Sequence, residues 1–402
     1  MIFKHTKALR YIAAAMAIAM TIGFTGCSNG TGESSSDSST VSDTPDEQTE
    51  YHKVGYIFRE SASDGSFAAQ MCEQRERASN RSSMDTCYIE NVSLSDFEGA
   101  VKTLSDAGCT DIVACSSAYA NLVQSVAKKY LDLNFICFGT LTGGINVSAY
   151  SESLYQGAYV AGLVANFNSD TKKIGVVADT GLPGTIPVVN AVELGAELDQ
   201  DGGATVYAAG AEKNDEIEQA VDALIDKGCD VIICYTNSDY SAEYCQQKSI
   251  KFISNLDFSE QENKYSNMLM YFYCKRDSYF LAQFKSMKLG TFELTSYIGD
   301  MSNGIVNVSP ALSAANDGTQ KLIDALVPHI TSGAALVFRG PLKDTDGNVK
   351  YLETDIMTDN QIAAMDWYVR GVEVVGNFRK AQTDVAPNSF EIKYLGYTAQ
   401  KH

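Results

Sequence analysis

Histidine is scarce in this sequence, and so are the short motifs that mark many enzyme active sites. Of the four histidines, only His52, His329 and His402 lie beyond the amino-terminal segment described below. None stands in a recognisable catalytic arrangement, and the chain has no GxSxG, HExxH or phosphate-cradling GxxxxGK pattern. The sequence therefore gives no reason to expect an enzyme.

Cysteine pairs with metal-binding spacing are also lacking. The chain has ten cysteines but no CxxC pair, so a zinc or redox site has no support and we expect no cofactor. Cys72 and Cys87 flank a segment that a disulfide would close, although spacing alone does not decide connectivity. Several other cysteines lie in or beside predicted buried strands, where cysteine acts as a small apolar residue: Cys109, Cys115, Cys137, Cys229 and Cys234.

Positive charge is in short supply. Lys and Arg total 31 against 50 Asp and Glu, which gives a net charge of -19. Nucleic acid and anionic lipid would both be repelled by such a surface, so neither is an expected partner. Acidic charge favours solubility and says nothing about the fold.

Residues 1–26 read as an export signal. Three positive residues precede an apolar run from Tyr11 to about Phe24, and that run is shorter than the roughly 20 residues that span a bilayer. The next residues resemble a bacterial lipobox, although Phe24 replaces the usual leucine. We therefore expect Cys27 to be lipidated, with an ordinary secretory signal as the alternative. Lipidation would anchor the protein to the cell membrane, facing the extracytoplasmic side.

Residues 27–50 have no large apolar side chain. They are rich in Ser, Thr, Gly, Asp and Glu, so they cannot bury a core, and we expect a disordered tether. Loss of the three positive signal residues takes the net charge to -22, and nine cysteines remain besides the lipidated one. The roughly 350 residues after the tether are long for one core and suit two lobes.

The stretch from Ala220 to Asp257 has the order helix, strand, helix, strand. An apolar stripe at helical spacing ends at Gly228, and the apolar run Asp230–Cys234 then breaks into polar residues, as a strand buried on both faces does at its carboxyl end. A helix from Tyr240 to Lys248 and a strand from Ile250 to Ser254 follow. This order of elements is typical of a parallel α/β sheet.

An earlier stretch echoes this one roughly 120 residues upstream, a separation that suits two similar lobes. Ala100–Cys109 repeats the helical stripe and its glycine, and Asp111–Cys115 repeats the strand. Because open α/β sheets bind ligands beyond the carboxyl ends of their strands, two such lobes predict a cleft. We expect lobe 1 to hold residues 51–168 and about 275–297, and lobe 2 to hold 169–274 and about 298–402.

Further elements follow from the same patterns. We predict first strands at Val54–Phe58 and Lys173–Val177, and helices at Phe67–Ala78, Tyr279–Leu289 and Pro310–Ile330. Asp-Gly turn chemistry between Leu342 and Val349 predicts a hairpin. Trp367, the only tryptophan, is predicted to pack in a carboxyl-terminal helix with Met365, Tyr368 and Val369.

Three segments together resemble the basic-membrane-protein (BMP) family, the substrate-binding lipoproteins of ABC importers for purine nucleosides and related purines. They are Gly157–Gly162, Gly340–Asp344 with Gly347, and Met365–Val372. The resemblance covers nearly all of the chain after the signal. It implies an α/β, type I periplasmic-binding-protein fold, in which two Rossmann-like lobes joined by a hinge close on a ligand.

The resemblance also implies which residues line the ligand cleft. The positions that match the family's site residues fall at four places in the chain. They are Asp64 and Phe67 after the first strand, Ser116 and Tyr119 after the second strand end of lobe 1, Asn146 and Tyr155 before the hinge, and Thr236 and Ser238 in lobe 2. Phe67 either stacks on a flat ligand or packs against lobe 1, and Tyr155 either faces the cleft or packs.

At two places the sequence differs from the family pattern in residues that would contact the ligand. Where similar relatives have His-Thr-Asp-Ser, this chain has Tyr235, Thr236, Asn237 and Ser238, and the acid expected after the next strand falls on Leu256, with Asp257 one place later. We expect Tyr235, Asn237 and Asp257 to complete the site, because polar ligand groups in a closed cleft need partners.

These observations favour a receptor that captures a purine nucleoside or base and delivers it to an ABC permease and its ATPase, as a monomer by family resemblance. The alternative is a surface sensor for another small molecule that feeds a signalling partner. The sequence does not separate the two.

Overall fold

The computed structural model describes residues 51–62, 66–180, 182, 184–198, 203–376 and 390–394. The predicted export signal and tether, Cys27 and Asp64 lie outside these residues. No helix within the described ranges combines the length and apolar character that crossing a membrane requires.

Fifteen strands occur in the described residues. In chain order they are β1 (Lys53–Ile57), β2 (Asp85–Ile89), β3 (Asp111–Ala114), β4 (Asn134–Phe138), β5 (Val147–Glu152), β6 (Lys173–Ala178), β7 (Thr205–Gly210), β8 (Val231–Tyr235), β9 (Lys251–Ser254), β10 (Met268–Cys274), β11 (Tyr297–Gly299), β12 (Val306–Val308), β13 (Leu342–Lys343), β14 (Val349–Tyr351) and β15 (Val372–Val375).

Ten α-helices accompany these strands in the same ranges. They are α1 (Phe67–Ser82), α2 (Phe97–Asp106), α3 (Ala120–Val126), α4 (Tyr155–Asn168), α5 (Thr185–Ala196), α6 (Asn214–Asp226), α7 (Tyr240–Gln247), α8 (Arg276–Lys288), α9 (Thr319–Thr331) and α10 (Asp359–Ala363). A 3₁₀ turn at Ser117–Tyr119 precedes α3.

The strands form two large sheets, which we call sheet 1 and sheet 2. Sheet 1 has the order β11-β5-β4-β3-β1-β2 and is parallel throughout, whereas sheet 2 has the order β12-β10-β9-β8-β6-β7-β15 with only β12 antiparallel. The chain passes between the sheets after β5, β10 and β11. Lobe 1 denotes sheet 1 with its helices, and lobe 2 denotes sheet 2 with its helices.

Both faces of each sheet are buried, which explains the continuous apolar strands. On β1, Tyr56 packs in one core cluster and Ile57 in another, because successive side chains point to opposite faces. On β8, Ile232 and Ile233 divide in the same way. The predicted parallel α/β architecture is confirmed, as are the echoed strands β3 and β8 and the hairpin of β13 and β14.

Two predicted helices differ from the structure. The helix predicted from Pro310 begins only at Thr319, because Gly318 at φ 98° forms its amino-terminal cap. Trp367 is not helical, since α10 already ends at Ala363. Asn190 of α5 hydrogen-bonds the backbone of this segment instead. Its amide donates to the Trp367 carbonyl at 2.9 Å, and its oxygen accepts from the Val369 N–H at 3.0 Å.

The nine cysteines among the described residues are all buried free thiols. Cys72 and Cys87, the pair considered for a disulfide, belong to different core clusters on opposite faces of sheet 1, so they are not bonded. Burial raises the pKa of Cys72 and of Cys137 to about 12. These thiols therefore act as apolar packing groups.

Glu193 on α5 is a buried acid, and its burial makes stability depend on pH. Its side chain is 2% exposed, and one carboxylate oxygen has no hydrogen-bond partner in the described structure. Burial, and secondarily the charge of Glu197, raise its pKa to about 8, while Arg370 opposes the shift. At neutral pH the folded protein therefore holds a proton that the unfolded chain releases, and stability falls as the pH rises from about 5 to about 8.

Glu193→Gln is therefore expected to gain stability relative to the unsubstituted protein as the pH rises. We expect the difference in free energy of unfolding to grow by about 1 to 3 kcal/mol between pH 5.5 and pH 8, since each pKa unit is worth about 1.4 kcal/mol. Denaturant titrations at both pH values measure it. Glu353→Gln, at an exposed position, is the control, and a pH-independent difference for Glu193→Gln would contradict the prediction.

Candidate functional site

A cavity of about 660 Å³ lies where the carboxyl ends of the two sheets face each other. From lobe 1 it is lined by residues that end or follow β1, β3, β4 and β5, and from lobe 2 by residues that end or follow β6, β7, β8, β9 and β10. Strand ends expose backbone groups and short polar side chains, so this is where α/β sheets bind ligands. The cavity is the predicted cleft.

The two lobes touch directly along one side of this cavity. The Phe67 backbone N–H donates to the Asn237 carbonyl at 2.7 Å, and Ser66 forms a β-bridge with Ser238. Further along α1, Gln70 exchanges hydrogen bonds with the backbone of Asp257 at 3.2 and 3.4 Å. Because these bonds join α1 of lobe 1 to loops of lobe 2, they hold the cleft closed.

Asn237 lies between two carboxylates that come from different lobes. Its side-chain amide donates to Asp179 at 2.8 Å and to Glu60 at 3.3 Å. Burial raises the pKa of Glu60, with Arg59 opposing and Glu212 reinforcing the shift. The amide oxygen of Asn237 is buried and has no protein partner in the described structure.

Arg276 forms the second polar centre of the cavity. Its Nη2 donates to Glu152 Oε2 at 2.7 Å, and its Nε lies 2.7 Å from Oε1 of the same carboxylate. Although burial works against the charge, Glu152 keeps the pKa of Arg276 above its usual range. The guanidinium also lies over the ring of Phe67, 4.6 Å from its centre, as a cation–π contact.

Gln74 fixes the backbone on which Arg276 stands. Its amide donates to the Cys274 carbonyl at 3.0 Å and accepts from the Arg276 N–H at 2.8 Å. Gln74 belongs to α1, so lobe 1 holds the start of α8 where the chain leaves sheet 2.

The structure brings six of the predicted site residues together in the cavity wall. They are Phe67, Ser116, Tyr155, Tyr235, Asn237 and Ser238. Burial raises the pKa of Tyr155 and of Tyr235 above the usual range, so both phenols stay neutral and present an O–H group. Because Arg276 covers one face of Phe67, a ligand ring can stack only on the other face or lie beside it.

Three predicted residues have structural roles away from the cavity. Tyr119 is fully buried and donates to the Val92 carbonyl at 2.5 Å. The Asn146 amide binds the carbonyls of three residues at 2.9 to 3.0 Å and so fixes the connection before β4. The Thr236 hydroxyl donates to the Ser238 carbonyl at 2.8 Å and shapes the turn after β8.

Asp257 also lies outside the main cavity, in the wall of a neighbouring one of about 300 Å³. Leu256 lines the main cavity instead. Neighbouring residues of an extended segment point in opposite directions, so the shift by one place that the sequence shows removes the acid from the site.

Sequence reasoning missed the charged residues that shape the site: Glu60, Glu152, Asp179, Glu212 and Arg276. Each of them ends a strand or follows one closely. The rule about strand ends that identified residues 235–238 would have found them, had it been applied to every strand.

The arrangement suits capture of a small molecule. Two lobes enclose a cavity with aromatic walls and a few buried hydrogen-bonding groups, which is the usual make-up of a ligand site. The described residues contain no group of three or more His, Cys, Asp or Glu side chains placed to hold a metal. Fold and site together define a two-lobed ligand-binding protein with the type I periplasmic-binding-protein fold.

The family of PnrA-like ABC transporter substrate-binding proteins, Bmp, matches residues 51–253, about half of the chain. The chain therefore belongs to this family of extracytoplasmic substrate-binding proteins, which are not enzymes. The resemblance seen in the sequence is confirmed.

Individual relatives agree with this assignment. The chain is 26% identical over 329 residues to a purine-binding protein of Brucella abortus, an alignment that covers 80% of this chain and 93% of the relative. It is 28% identical over 151 residues to a putative ABC transporter glucose-binding protein of Haloferax volcanii, covering 37% and 39% of the two chains.

A solved structure shows the same fold. An ABC transporter solute-binding protein from Aeropyrum pernix superposes with a TM-score of 0.62 at 14% identity, covering 73% of this chain and 93% of that one.

Proposed function

We propose that this protein is the lipid-anchored receptor of an ABC importer and that it captures a purine nucleoside or purine base. The observation that carries the proposal is the cavity between the lobes, whose wall holds three aromatic side chains and Asn237, a residue with a buried, unpaired amide oxygen. The purine-binding relative, which aligns over most of both chains, supports the same ligand class.

The size and walls of the cavity fit a flat heteroaromatic ligand. A volume of about 660 Å³ is within the roughly 300 to 1,000 Å³ typical of small-molecule sites. Phe67, Tyr155 and Tyr235 supply aromatic surface for a ring. Carboxylates, amides and hydroxyls supply partners for ring nitrogens or ribose, so that discrimination depends on hydrogen bonds.

The charge of the cavity wall favours an unphosphorylated ligand. Its described acids are Glu60, Glu152, Asp179, Glu212 and Asp359, against the bases Arg59, Lys213 and Arg276, of which Arg276 is already paired. A phosphate would meet net negative charge and lose its hydration. We therefore propose that nucleosides and bases bind and that nucleotides do not.

The remainder of the proposal concerns location and partners. Lipidation of Cys27 would anchor the protein on the extracytoplasmic side of the membrane, with residues 28–50 as a tether that gives the lobes reach. The closed form would deliver its ligand to the permease and ATPase subunits of the importer.

A thermal-shift panel tests the ligand class. We expect purine nucleosides or bases to stabilise the purified full-length protein, by about 2.7 kcal/mol at 100 times the dissociation constant. Phe67→Ala should weaken binding by about tenfold or more, since an aromatic contact is worth about 1 kcal/mol beyond its buried area. Tyr394→Ala, at a half-exposed position away from the described cavity wall, is the matched control. Stabilisation by glucose or other sugars and by no purine would reject the proposal.

A further inference from the structure

The buried guanidinium of Arg276 has one edge occupied by the protein. Glu152 lies along the edge that carries Nε and Nη2, with contacts of 2.7 Å to each nitrogen. A guanidinium has five N–H donors in a rigid planar fork, so a carboxylate on that edge leaves the outer edge, with one N–H from Nη1 and one from Nη2, as a second pair of parallel donors. Among the described residues, no acceptor bonds to Nη1.

The position of Arg276 is fixed from three sides. Glu152 neutralises it, Phe67 covers one face of its guanidinium at 4.6 Å, and Gln74 binds the Cys274 carbonyl and the Arg276 N–H, just before its Cα. The side chain is 5% exposed, yet it forms part of the cavity wall. A rigid pair of donors in a site shielded from water selects strongly for a ligand edge that has two acceptors.

We propose that Arg276 is a specificity-determining residue, which selects purines with an oxygen at position 6 over purines with an amino group there. This inference rests on the proposed function and identifies the ligand more narrowly. Guanine and hypoxanthine present two adjacent acceptors, O6 and N7, and a guanidinium binds this pair through two hydrogen bonds. Adenine presents the N7 acceptor beside an N6 amino donor, which would face an Arg276 N–H and leave a buried donor unpaired.

Asn237 gives independent support for a ligand that also donates. Its amide oxygen is buried in the cavity wall without a protein partner, because its NH₂ group is turned toward Asp179 and Glu60. A ligand N–H or O–H that reached this oxygen would pair it. A 6-oxopurine carries a proton on N1, and its nucleoside adds ribose hydroxyls.

Dissociation constants of the full-length protein for matched ligands test the inference. We expect guanine and hypoxanthine to bind about tenfold to hundredfold more tightly than adenine, and guanosine and inosine to exceed adenosine by a similar factor. The sharpest probe is 7-deazaguanine, which keeps O6 and replaces the N7 acceptor with a C–H group. It should bind about tenfold more weakly than guanine.

Two variants assign the selectivity to Arg276. Arg276→Lys keeps the positive charge beside Glu152 but lacks the planar fork, so the ratio of guanine to adenine affinity should fall toward one. The pair Glu152→Gln with Arg276→Gln removes both charges together and avoids a buried unpaired carboxylate. It should also lose the preference for guanine over adenine.

Each result decides a separate point. Equal affinity for guanine and adenine, equal affinity for guanine and 7-deazaguanine, or a preference retained in Arg276→Lys would each overturn the role of Arg276 and leave a purine receptor in place. Failure of every purine to bind would overturn the proposed function itself, and this inference with it. If a variant does not fold, the ligand series on the unsubstituted protein still overturns the role of Arg276 when guanine binds no more tightly than adenine or 7-deazaguanine.

Discussion

Gly162→Ala is expected to lower the free energy of unfolding by about 2 to 4 kcal/mol, because α4 and α5 touch backbone to backbone at this position. A Cβ atom on Gly162 would lie 2.0 Å from the Val192 carbonyl oxygen, and one on Gly195 would lie 1.9 Å from the Tyr159 carbonyl oxygen. The obstacle on both sides is backbone, so no side chain can turn away. The helices would have to separate, and denaturant unfolding of the purified protein measures the cost.

Gly203→Ala is the matched control for this prediction. Among the described residues, a Cβ there would meet only Glu197, at 3.7 Å, which is ordinary contact. The control should unfold within about 0.5 kcal/mol of the unsubstituted protein, as surface substitutions usually do. Equal stability of Gly162→Ala and Gly203→Ala would show that the two helices do not pack as described. Because α4 begins with Tyr155 and α5 carries Pro187 and Val188, the separation should also widen the cavity.

Asn237→Asp should weaken binding of the proposed purine ligand, measured with guanosine, by about 100-fold or more, even though it changes only an amide to a carboxylate. The new charge would lie beside Asp179 and Glu60, at the places where Nδ2 now donates. An uncompensated buried charge costs about 3 to 5 kcal/mol, and closing the lobes would bring all three acids together. Calorimetric titration measures the affinity, and small-angle scattering should show a more open protein.

The pH dependence and a second variant isolate the role of charge. Burial already raises the pKa of Glu60, and a further nearby acid would raise it more. Protonation should therefore relieve the repulsion, so the loss of affinity should be smaller at pH 5 than at pH 8. Asn237→Ala removes the donor without adding charge and should cost clearly less. An equal loss in both variants at both pH values would contradict repulsion as the cause.

This reasoning also explains a departure from the family pattern. Similar relatives are expected to have an acid where this chain has Asn237, and here the neighbouring positions Glu60 and Asp179 already supply acids. Two carboxylates that meet across a closed cleft need a donor between them. An amide supplies that donor, whereas a third carboxylate would not.

The architecture could be predicted from the sequence because the signal is local and repeated. Strands such as β3 and β8 are buried on both faces, which gives continuous apolar runs, and before each strand a glycine with positive φ, Gly108 or Gly228, follows the end of the preceding helix. The hairpin of β13 and β14 followed from its Asp-Gly turn. Trp367 was misplaced because an apolar stripe does not show that Asn190, far away in the sequence, binds that stretch of backbone.

The candidate site was only half predictable, since a strand end fixes where residues lie but not where they point. Ser116 lies in the cavity wall, whereas Tyr119, three residues later, points into the core and hydrogen-bonds the Val92 carbonyl. Leu256 lines the main cavity where an acid was expected, and Asp257, one residue later, lines the neighbouring cavity instead. The direction of each side chain depends on turn geometry, which composition and spacing do not record.

By itself, the sequence determined the parallel α/β sheets, the presence of two similar lobes and the family. Strands buried on both faces and the repeated helix-strand unit produce patterns among residues that are close together in the chain. Only the tertiary structure decided which charges meet. Glu152 and Arg276 lie 124 residues apart, and Asn237 and Glu60 lie 177 apart. Glu152 and Arg276 meet within lobe 1, because the chain returns there after β10, whereas Asn237 and Glu60 meet only when the two lobes come together.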